Sequence, residues 1–205
     1  MRKRSGLTLI EILIAMAILI LVVGVMVVFQ RDFFSLNLFL EQSLSIQRDA
    51  EEVIREIIAE LRTASQSNTG GYPLELTAST SLAFYADIDT DPLKERVHYF
   101  LDGTSLKKSV VKPAGQPITY STSTVAQETV MVVLRYMVTT DVPQIFSYYG
   151  TFTDPGQAVP LSQPVNPSVI KLVAVDITVD EDPVRLPPPI SVGSRVTIRN
   201  LRIPQ

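Results

Sequence analysis

A single carboxylate, Glu11, lies inside the most apolar part of this 205-residue chain. It is the only charged residue among the 23 residues from position 7 to position 29. About 20 apolar residues in a helix cross a bilayer core roughly 30 Å thick, so this segment is long enough to span a membrane. Because an ionised carboxylate is costly in hydrocarbon, we expect Glu11 to have a functional role and a partner.

The residues before the apolar segment are basic and end in a glycine, Gly6. The basic residues are Arg2, Lys3 and Arg4. A secretory signal peptide has the same order, but its apolar region runs about 7–15 residues and ends in small residues. Here the apolar segment is longer and continues into polar residues from Gln30 without such a site. A plain signal anchor remains an alternative, although it leaves Glu11 unexplained.

The block Ser5-Gly6-Leu7-Thr8-Leu9-Ile10-Glu11 resembles the class III signal peptide of type IV prepilins and type II secretion pseudopilins. In that family a prepilin peptidase cuts after the glycine, on the cytoplasmic side, and methylates the new N-terminus. The resemblance therefore implies cleavage between Gly6 and Leu7, N-methylation of Leu7, and Glu11 at the fifth mature position. The family most often has Phe where this chain has Leu7, which is a mild departure.

Cleavage would place an ammonium group on Leu7, one helical turn before Glu11. An ammonium and a carboxylate that pair in hydrocarbon remove most of each other's desolvation cost. The resemblance implies that Glu11 pairs with the N-terminus of a neighbouring subunit and so sets the register of filament assembly. The alternative is a Glu11 side chain that reaches the lipid headgroups near the helix end.

The charge balance shifts when the leader, residues 1–6, is removed. The whole chain has a net charge of −3, and the leader holds three basic residues and no acidic ones. The mature chain therefore has 15 basic against 21 acidic residues, a net charge of −6. Because broad nucleic-acid binding needs a basic surface, we expect no nucleic-acid partner.

The predicted helix continues beyond the transmembrane part, residues 7–29, into residues 30–67, which contain no Pro or Gly. Apolar residues recur there at the three-and-four spacing of one helix face: Ala50, Val53, Ile54, Ile57, Ile58, Leu61 and Ala64. We expect this face to pack on the head domain; a coiled coil with another protein is the alternative. The segment Asn68-Thr69-Gly70-Gly71 predicts a helix end near Ser67, with a glycine available for a left-handed cap.

Residues 72–205 have the pattern of a β-rich head. Strands are predicted at residues 82–85, 96–101, 105–111, 129–140, 144–153, 169–179 and 194–203. Asp102-Gly103 predicts a hairpin between the second and third of these strands. The Pro-rich segments 155–167 and 182–190 predict surface loops. The predicted fold class is α+β, the lollipop of pilin-like subunits, with a long N-terminal helix on a mainly antiparallel sheet.

The head also resembles those of larger minor pilins and pseudopilins, such as the secretion J component or the minor pilin W group. The segments that carry this resemblance are residues 85–89, 96–103, 147–150 and 196–201. The chain has no Cys, so the C-terminal disulfide loop of major pilins cannot form. Val28 stands where major pilins have a helix-bending Pro. These departures and the large head favour a minor pilin or pseudopilin.

The best candidate site in the head is a run of alternating carboxylates, Asp87, Asp89 and Asp91, as in a calcium loop. The EF-hand pattern next requires a Gly and then a Glu at the twelfth position, where this chain has Pro92 and His98. That motif is therefore excluded. A solvated acidic turn is the expectation, and an irregular calcium site is the alternative.

The sequence offers no catalytic constellation, since it has no Cys, one His and no G-x-S-x-G motif. We expect His98 to be a half-exposed strand residue. Tyr148 and Tyr149 are expected in an aromatic sheet core rather than in a binding platform. The chain is therefore interpreted as non-enzymatic and without a cofactor.

The resemblance implies a single-span protein of the cytoplasmic (inner) membrane, with a cytoplasmic N-terminus and an extracytoplasmic head. After processing, it would assemble through its helix into a type IV pilus or a type II secretion pseudopilus. The implied partners are a prepilin peptidase, other pilin or pseudopilin subunits, a membrane assembly platform and the lipid bilayer. The alternative function is a signal-anchored extracytoplasmic binding module that does not polymerise.

Overall fold

A computed structural model of the chain describes residues 8–89, 91–121, 128–138, 143–150, 159–180 and 189–198. At helix residues 32, 35–40, 42 and 43 it describes the backbone alone. The chain divides into two compact units, Met1–Ser45 and Ile46–Gln205. Within the described residues, the order of elements is one long α-helix followed by eight strands, with a short 3₁₀ helix before the seventh.

From Leu9 onward, the first unit belongs to helix α1 (Leu9–Thr63). The segment Leu9–Arg31 has 23 residues and a mean hydropathy of 3.3, and none of its most apolar window is buried. By length and composition it is a helix that could cross a membrane, so the helix predicted for the apolar segment is confirmed.

The second unit contains strands that pair only in the antiparallel sense, among the residues the structure describes. They are β1 (Leu74–Thr77), β2 (Ser81–Ala86), β3 (Glu95–Asp102), β4 (Ser105–Val111), β5 (Glu128–Leu134), β6 (Phe146–Tyr149), β7 (Leu172–Val179) and β8 (Ile190–Thr197). The strands form two sheets, in the orders β1-β2-β3-β4-β5 and β6-β7-β8. The predicted α+β class with a mainly antiparallel head is confirmed, but the head has two sheets where one was predicted.

The two sheets separate after β5, where the sequence predicted strand as far as residue 140. The strand ends at Leu134, and Tyr136 has a left-handed φ of 61°. A side chain with a Cβ rarely adopts this conformation, and an extended strand cannot contain it. Met137 then forms an isolated bridge with Val179 of β7, so this segment connects the two sheets.

The other strand boundaries agree with the sequence to different degrees. β4 coincides with the predicted strand, and β2 and β3 each extend one residue beyond theirs at both ends. The four-residue strand β1 was missed. β7 begins three residues later than predicted because Pro167–Val169 forms a 3₁₀ turn. β8 begins four residues earlier than predicted, and residues 199–203 lie outside the described residues.

The hairpin between β3 and β4 is confirmed, with a two-residue loop of Gly103 and Thr104. Asp102 pairs with Ser105, so it is the last strand residue rather than part of the loop. Gly103 has a φ of 59°, which is the conformation required at the first central position of a type II′ turn.

The C-terminal end of α1 differs from the prediction. The helix ends at Thr63, four residues before Ser67. The backbone N–H of Ser65 instead donates to the carbonyl of Tyr85 on β2 at 2.9 Å. Gly70 has a left-handed φ of 86°, but its N–H donates to the carbonyl of Ser67 in a later turn, away from the helix end. The predicted cap was wrong because a distant strand supplies the hydrogen-bond partner.

One hydrophobic core joins the amphipathic part of α1 to both sheets. All seven residues of the predicted helix face are buried in it: Ala50, Val53, Ile54, Ile57, Ile58, Leu61 and Ala64. They meet large side chains that include Phe84, Tyr99, Phe146 and Tyr148. Burial of the five Val, Ile and Leu side chains of this face, at roughly 1.5–3 kcal/mol each, favours the association of the helix with the sheets.

An ion cluster that is largely buried, apart from the exposed Glu56, lies between α1 and β4. Lys108 Nζ donates to Glu56 Oε1 at 2.6 Å and to Glu60 Oε1 at 2.5 Å. The Tyr99 hydroxyl donates to Glu60 Oε2 at 2.7 Å. Burial of the amine opposes its charge, but the hydrogen bonds to Glu56 and Glu60 outweigh it and raise the pKa of Lys108. The sequence analysis missed this cluster, although Lys108 lies two residues after the buried Leu106 and therefore on the same strand face.

Candidate functional site

Thr8 and Glu11 close the first turn of α1. The backbone N–H of Thr8 donates to Glu11 Oε2 at 2.8 Å, and the Thr8 hydroxyl donates to the same oxygen at 2.9 Å. In return, the backbone N–H of Glu11 donates to Thr8 Oγ1 at 3.4 Å. This reciprocal arrangement is a capping box, which satisfies backbone N–H groups that a helix end leaves without partners.

Glu11 therefore has a hydrogen-bond partner within its own chain. The sequence analysis expected a partner on a neighbouring subunit and missed Thr8, although Thr8-Leu9-Ile10-Glu11 has the T-x-x-E spacing of a capping box. The two roles are compatible, because an ionised carboxylate has about four acceptor positions and the bonds with Thr8 use only one oxygen. The register role of Glu11 stays a prediction.

The surroundings of Glu11 on the described helix are apolar. Ile10 and Ile12 on either side of it are 65% and 50% exposed, and large hydrophobic side chains remain exposed along the helix as far as Phe34. A helix that is apolar on all sides belongs inside a membrane or among other apolar helices. Such a surface needs lipid or partner helices to cover it.

The predicted cleavage site lies outside the described residues. This applies to Gly6 and Leu7 and to the basic leader residues Arg2, Lys3 and Arg4. Cleavage after Gly6 and methylation of Leu7 therefore stay predictions.

Three carboxylates come together at the loop between β2 and β3. One oxygen from each of Asp87, Asp89 and Glu95 lies within 4.8 Å of the corresponding oxygens of the other two. Asp87 and Asp89 are two of the three residues that the sequence singled out. The third, Asp91, lies outside this group, and its Oδ1 accepts the backbone N–H of Leu93 at 2.7 Å.

Glu95 joins the carboxylate group because of strand pairing. It is the first residue of β3 and pairs with Ala86, the last residue of β2, which brings it next to Asp87. Its side chain is fully buried, and Oε2 accepts the backbone N–H of Ile88 at 3.2 Å. Oε1 is buried and has no hydrogen-bond partner within the described part of the chain. Burial and the charges of Asp89 and Asp91 raise the pKa of Glu95, against the hydrogen bond from Ile88.

The histidine and the tyrosine pair lie where the sequence placed them. His98 is half-buried on β3, its Nε2 lies 2.7 Å from Ser81 Oγ, and its ring stacks on Phe100. Burial lowers the pKa of His98. Tyr148 and Tyr149 are both buried, so the prediction of an aromatic sheet core is confirmed.

Comparison with known families identifies the prokaryotic N-terminal methylation motif at residues 1–27. No curated protein and no solved structure matches the chain. The matched residues contain the basic leader, Gly6, the capping box of Thr8 and Glu11, and most of the apolar helix segment. Residues 1–27 therefore carry the prokaryotic N-terminal methylation motif, which confirms the class III signal peptide predicted from the sequence.

Proposed function

We propose that this protein is a minor pilin or pseudopilin, a structural subunit without enzymatic activity. A prepilin peptidase processes it, and it assembles through α1 into a type IV pilus or a type II secretion pseudopilus. The observation that carries the proposal is the position of Glu11 in the methylation motif, in the first turn of a helix whose surface is otherwise apolar as far as Phe29.

The first step is cleavage between Gly6 and Leu7 at the cytoplasmic face, followed by methylation of Leu7. Cleavage removes the three positive charges that hold the N-terminus in the cytoplasm according to the positive-inside rule. It also creates an ammonium group next to the start of α1. The mature helix therefore begins with one cation and one carboxylate in place of a basic leader.

The second step is assembly, in which Glu11 pairs with the ammonium group of a neighbouring subunit. An ionised carboxylate surrounded by apolar helices is costly unless it is paired, so a shift in register that separates the two charges is disfavoured. The capping box supports this role, because the hydrogen bonds with Thr8 hold the Glu11 side chain in a defined position. The exposed apolar side chains of the Leu9–Arg31 segment would supply the rest of the contact.

Features outside the motif favour a minor subunit. The chain has no Cys and has Val28 in place of the helix-bending Pro, as noted above. Its second unit contains two sheets around one core, in a head of more than a hundred residues. A large head suits a subunit used in few copies, since it is harder to repeat closely along a filament.

Co-expression with a prepilin peptidase tests the proposal. We expect the wild-type chain to lose its leader, about 0.7 kDa, and to give an N-terminal peptide that begins with a methylated Leu7 in mass spectrometry. Gly6→Asp and Gly6→Arg should keep the full-length mass, while Ser5→Ala, the matched control, should be processed. A wild-type chain that keeps its leader beside an active peptidase would overturn the proposal in favour of a signal-anchored binding module.

A further inference from the structure

The acidic group at the loop between β2 and β3 has the geometry of a cation site. Its three oxygens lie within 4.8 Å of one another, so a point no more than about 2.8 Å from all three exists, and small side-chain shifts bring this distance to the 2.3–2.6 Å of a calcium–oxygen contact. We propose that Asp87, Asp89 and Glu95 bind one Ca²⁺ ion. This site does not depend on the assembly role proposed above.

The buried oxygen of Glu95 is the independent observation that points to a ligand. A buried carboxylate oxygen without a donor costs free energy, and chains normally avoid this by supplying a hydrogen bond. Among the residues that the structure describes, Glu95 Oε1 is a buried side-chain oxygen that has no hydrogen-bond partner. Glu95 is also the residue that completes the group formed with Asp87 and Asp89. A cation that the Glu95 carboxylate binds through both of its oxygens would satisfy Oε1.

The donor set selects a hard cation. All three side chains offer carboxylate oxygens, the chain has no Cys, and His98 is engaged with Ser81 on the neighbouring strand. Zinc sites in proteins are built mainly from Cys and His, so they do not fit this set. Ca²⁺ accepts six to eight oxygens in flexible geometry and takes backbone carbonyls and water, whereas Mg²⁺ requires a nearly ideal octahedron. A site with only three carboxylates, two on a loop and one at the start of a strand, therefore fits calcium better than magnesium.

Lys112 competes for one of the ligands. Its Nζ pairs with Asp89 Oδ2 and lies 4.0 Å from Asp91 Oδ2. The Lys112 side chain is 58% exposed, and exposed ion pairs contribute little free energy, so an ion can displace it. The other Asp89 oxygen, Oδ1, accepts the backbone N–H of Asp91 at 2.9 Å, which holds this side chain at the loop. Competition by Lys112 predicts a moderate affinity, with a Kd of about 10⁻⁴–10⁻³ M as in extracellular calcium modules.

Calorimetry and thermal unfolding of the full-length chain in an uncharged detergent test the proposal. The protein is stripped with EDTA and titrated with CaCl₂, and its Tm is compared in EDTA, 10 mM CaCl₂ and 10 mM MgCl₂. We expect one Ca²⁺ per chain and a rise in Tm of roughly 3–8 °C with calcium, and a much smaller rise with magnesium. No binding heat and no Tm shift with calcium would overturn the proposal, and an equal shift with magnesium would overturn the assignment to calcium.

Four variants localise the site. Glu95→Gln and Asp87→Asn should each weaken calcium binding at least about tenfold, while Asp91→Asn, a carboxylate of the same loop outside the group, should change it less than about threefold. Lys112→Met should tighten binding. Glu95→Gln should be no less stable than wild type in EDTA, because it removes a buried carboxylate. Asp87 is exposed, so Asp87→Asn tests the site even if Glu95→Gln does not fold. Equal calcium responses in wild type, Glu95→Gln and Asp87→Asn would overturn the proposal.

Discussion

Lys108 Nζ on β4 lies 2.5 Å from Glu60 Oε1 on α1, and this ion pair links the helix to the five-stranded sheet. The side chain of Lys108 is 6% exposed and that of Glu60 is 13% exposed. Both charges lie inside the core that the apolar face of the helix forms with the sheets. Each of them depends on the other to offset its desolvation.

Removing one charge from this pair should strongly destabilise the head. We expect Lys108→Met to lower the free energy of unfolding by about 3 kcal/mol, because it leaves the largely buried Glu60 carboxylate without its cation. Lys107→Met, on the opposite face of the same strand, removes a more exposed pair with Asp102 and should cost less than about 1 kcal/mol. Denaturant titration of the full-length protein in detergent measures both values. Equal losses would show that the buried cluster does not hold the helix on the sheet.

Because of Tyr99, the free energy of unfolding of the head should fall at alkaline pH. Burial, with the charge and hydrogen bond of Glu60, raises the pKa of Tyr99 in the folded state, while the unfolded tyrosine releases its proton near pH 10. The folded state then binds more protons, so its stability is retained below pH 10 and falls as the pH rises above it, by about 1.4 kcal/mol per pH unit for this group.

Tyr99→Phe should remove that part of the pH dependence. Its free energy of unfolding should be lower than that of wild type at pH 8, because the bond to Glu60 is lost, and the two values should converge between about pH 10 and pH 12. A Tyr99→Phe slope equal to that of wild type would contradict the expectation.

A side chain at position 103 should destabilise the hairpin turn. Gly103 has a φ of 59°, so Gly103→Ala should lower the free energy of unfolding by about 1 kcal/mol, from backbone strain alone, since nothing lies within 4 Å of the added Cβ. Thr104→Ala in the same loop should change it by less than about 0.5 kcal/mol. Thermal unfolding of both variants checks this. A harmless Gly103→Ala would show that the turn can relax.

Substitutions of Glu11 and of Thr8 should affect filament formation differently. Glu11→Ala should leave membrane insertion and leader cleavage intact but impair incorporation into the filament, because the ammonium group of a neighbouring subunit loses its partner. Thr8→Val removes the hydroxyl of the capping box, which costs the helix end about 1 kcal/mol. It retains the backbone N–H that donates to Glu11 Oε2 and holds this side chain in position, so it should keep most of the incorporation.

Quantifying each subunit in sheared and purified filaments, with cleavage followed in the same cells, measures this difference. Wild-type incorporation of Glu11→Ala would remove its role in register. An equal defect in Thr8→Val would assign the effect of Glu11 to capping of the helix.

Local patterns in the sequence predicted the features that local geometry determines, such as the buried helix face and the turn between β3 and β4. The three-and-four spacing of residues such as Ile54 and Ile57 identified the buried helix face, because that spacing places them on one side whatever they pack against. The turn at Gly103 was predictable because it needs a residue that adopts a left-handed φ. The helix end at Thr63 was not predictable, since the Ser65 N–H donates to Tyr85, on a strand some twenty residues later.

The sequence by itself determined the N-terminal part of this protein. A basic leader, Gly6, a carboxylate at Glu11 and a long apolar run are consecutive in the chain, so their order alone carries the methylation motif and a helix long enough to span a membrane. Only the tertiary structure determined which polar side chains of the head lie next to one another. It brought Lys108 to Glu60 through the packing of the helix on the sheet, which joins residues far apart in the chain. It brought Glu95 to Asp87 through the pairing of β2 with β3 across their loop, which no local pattern indicates.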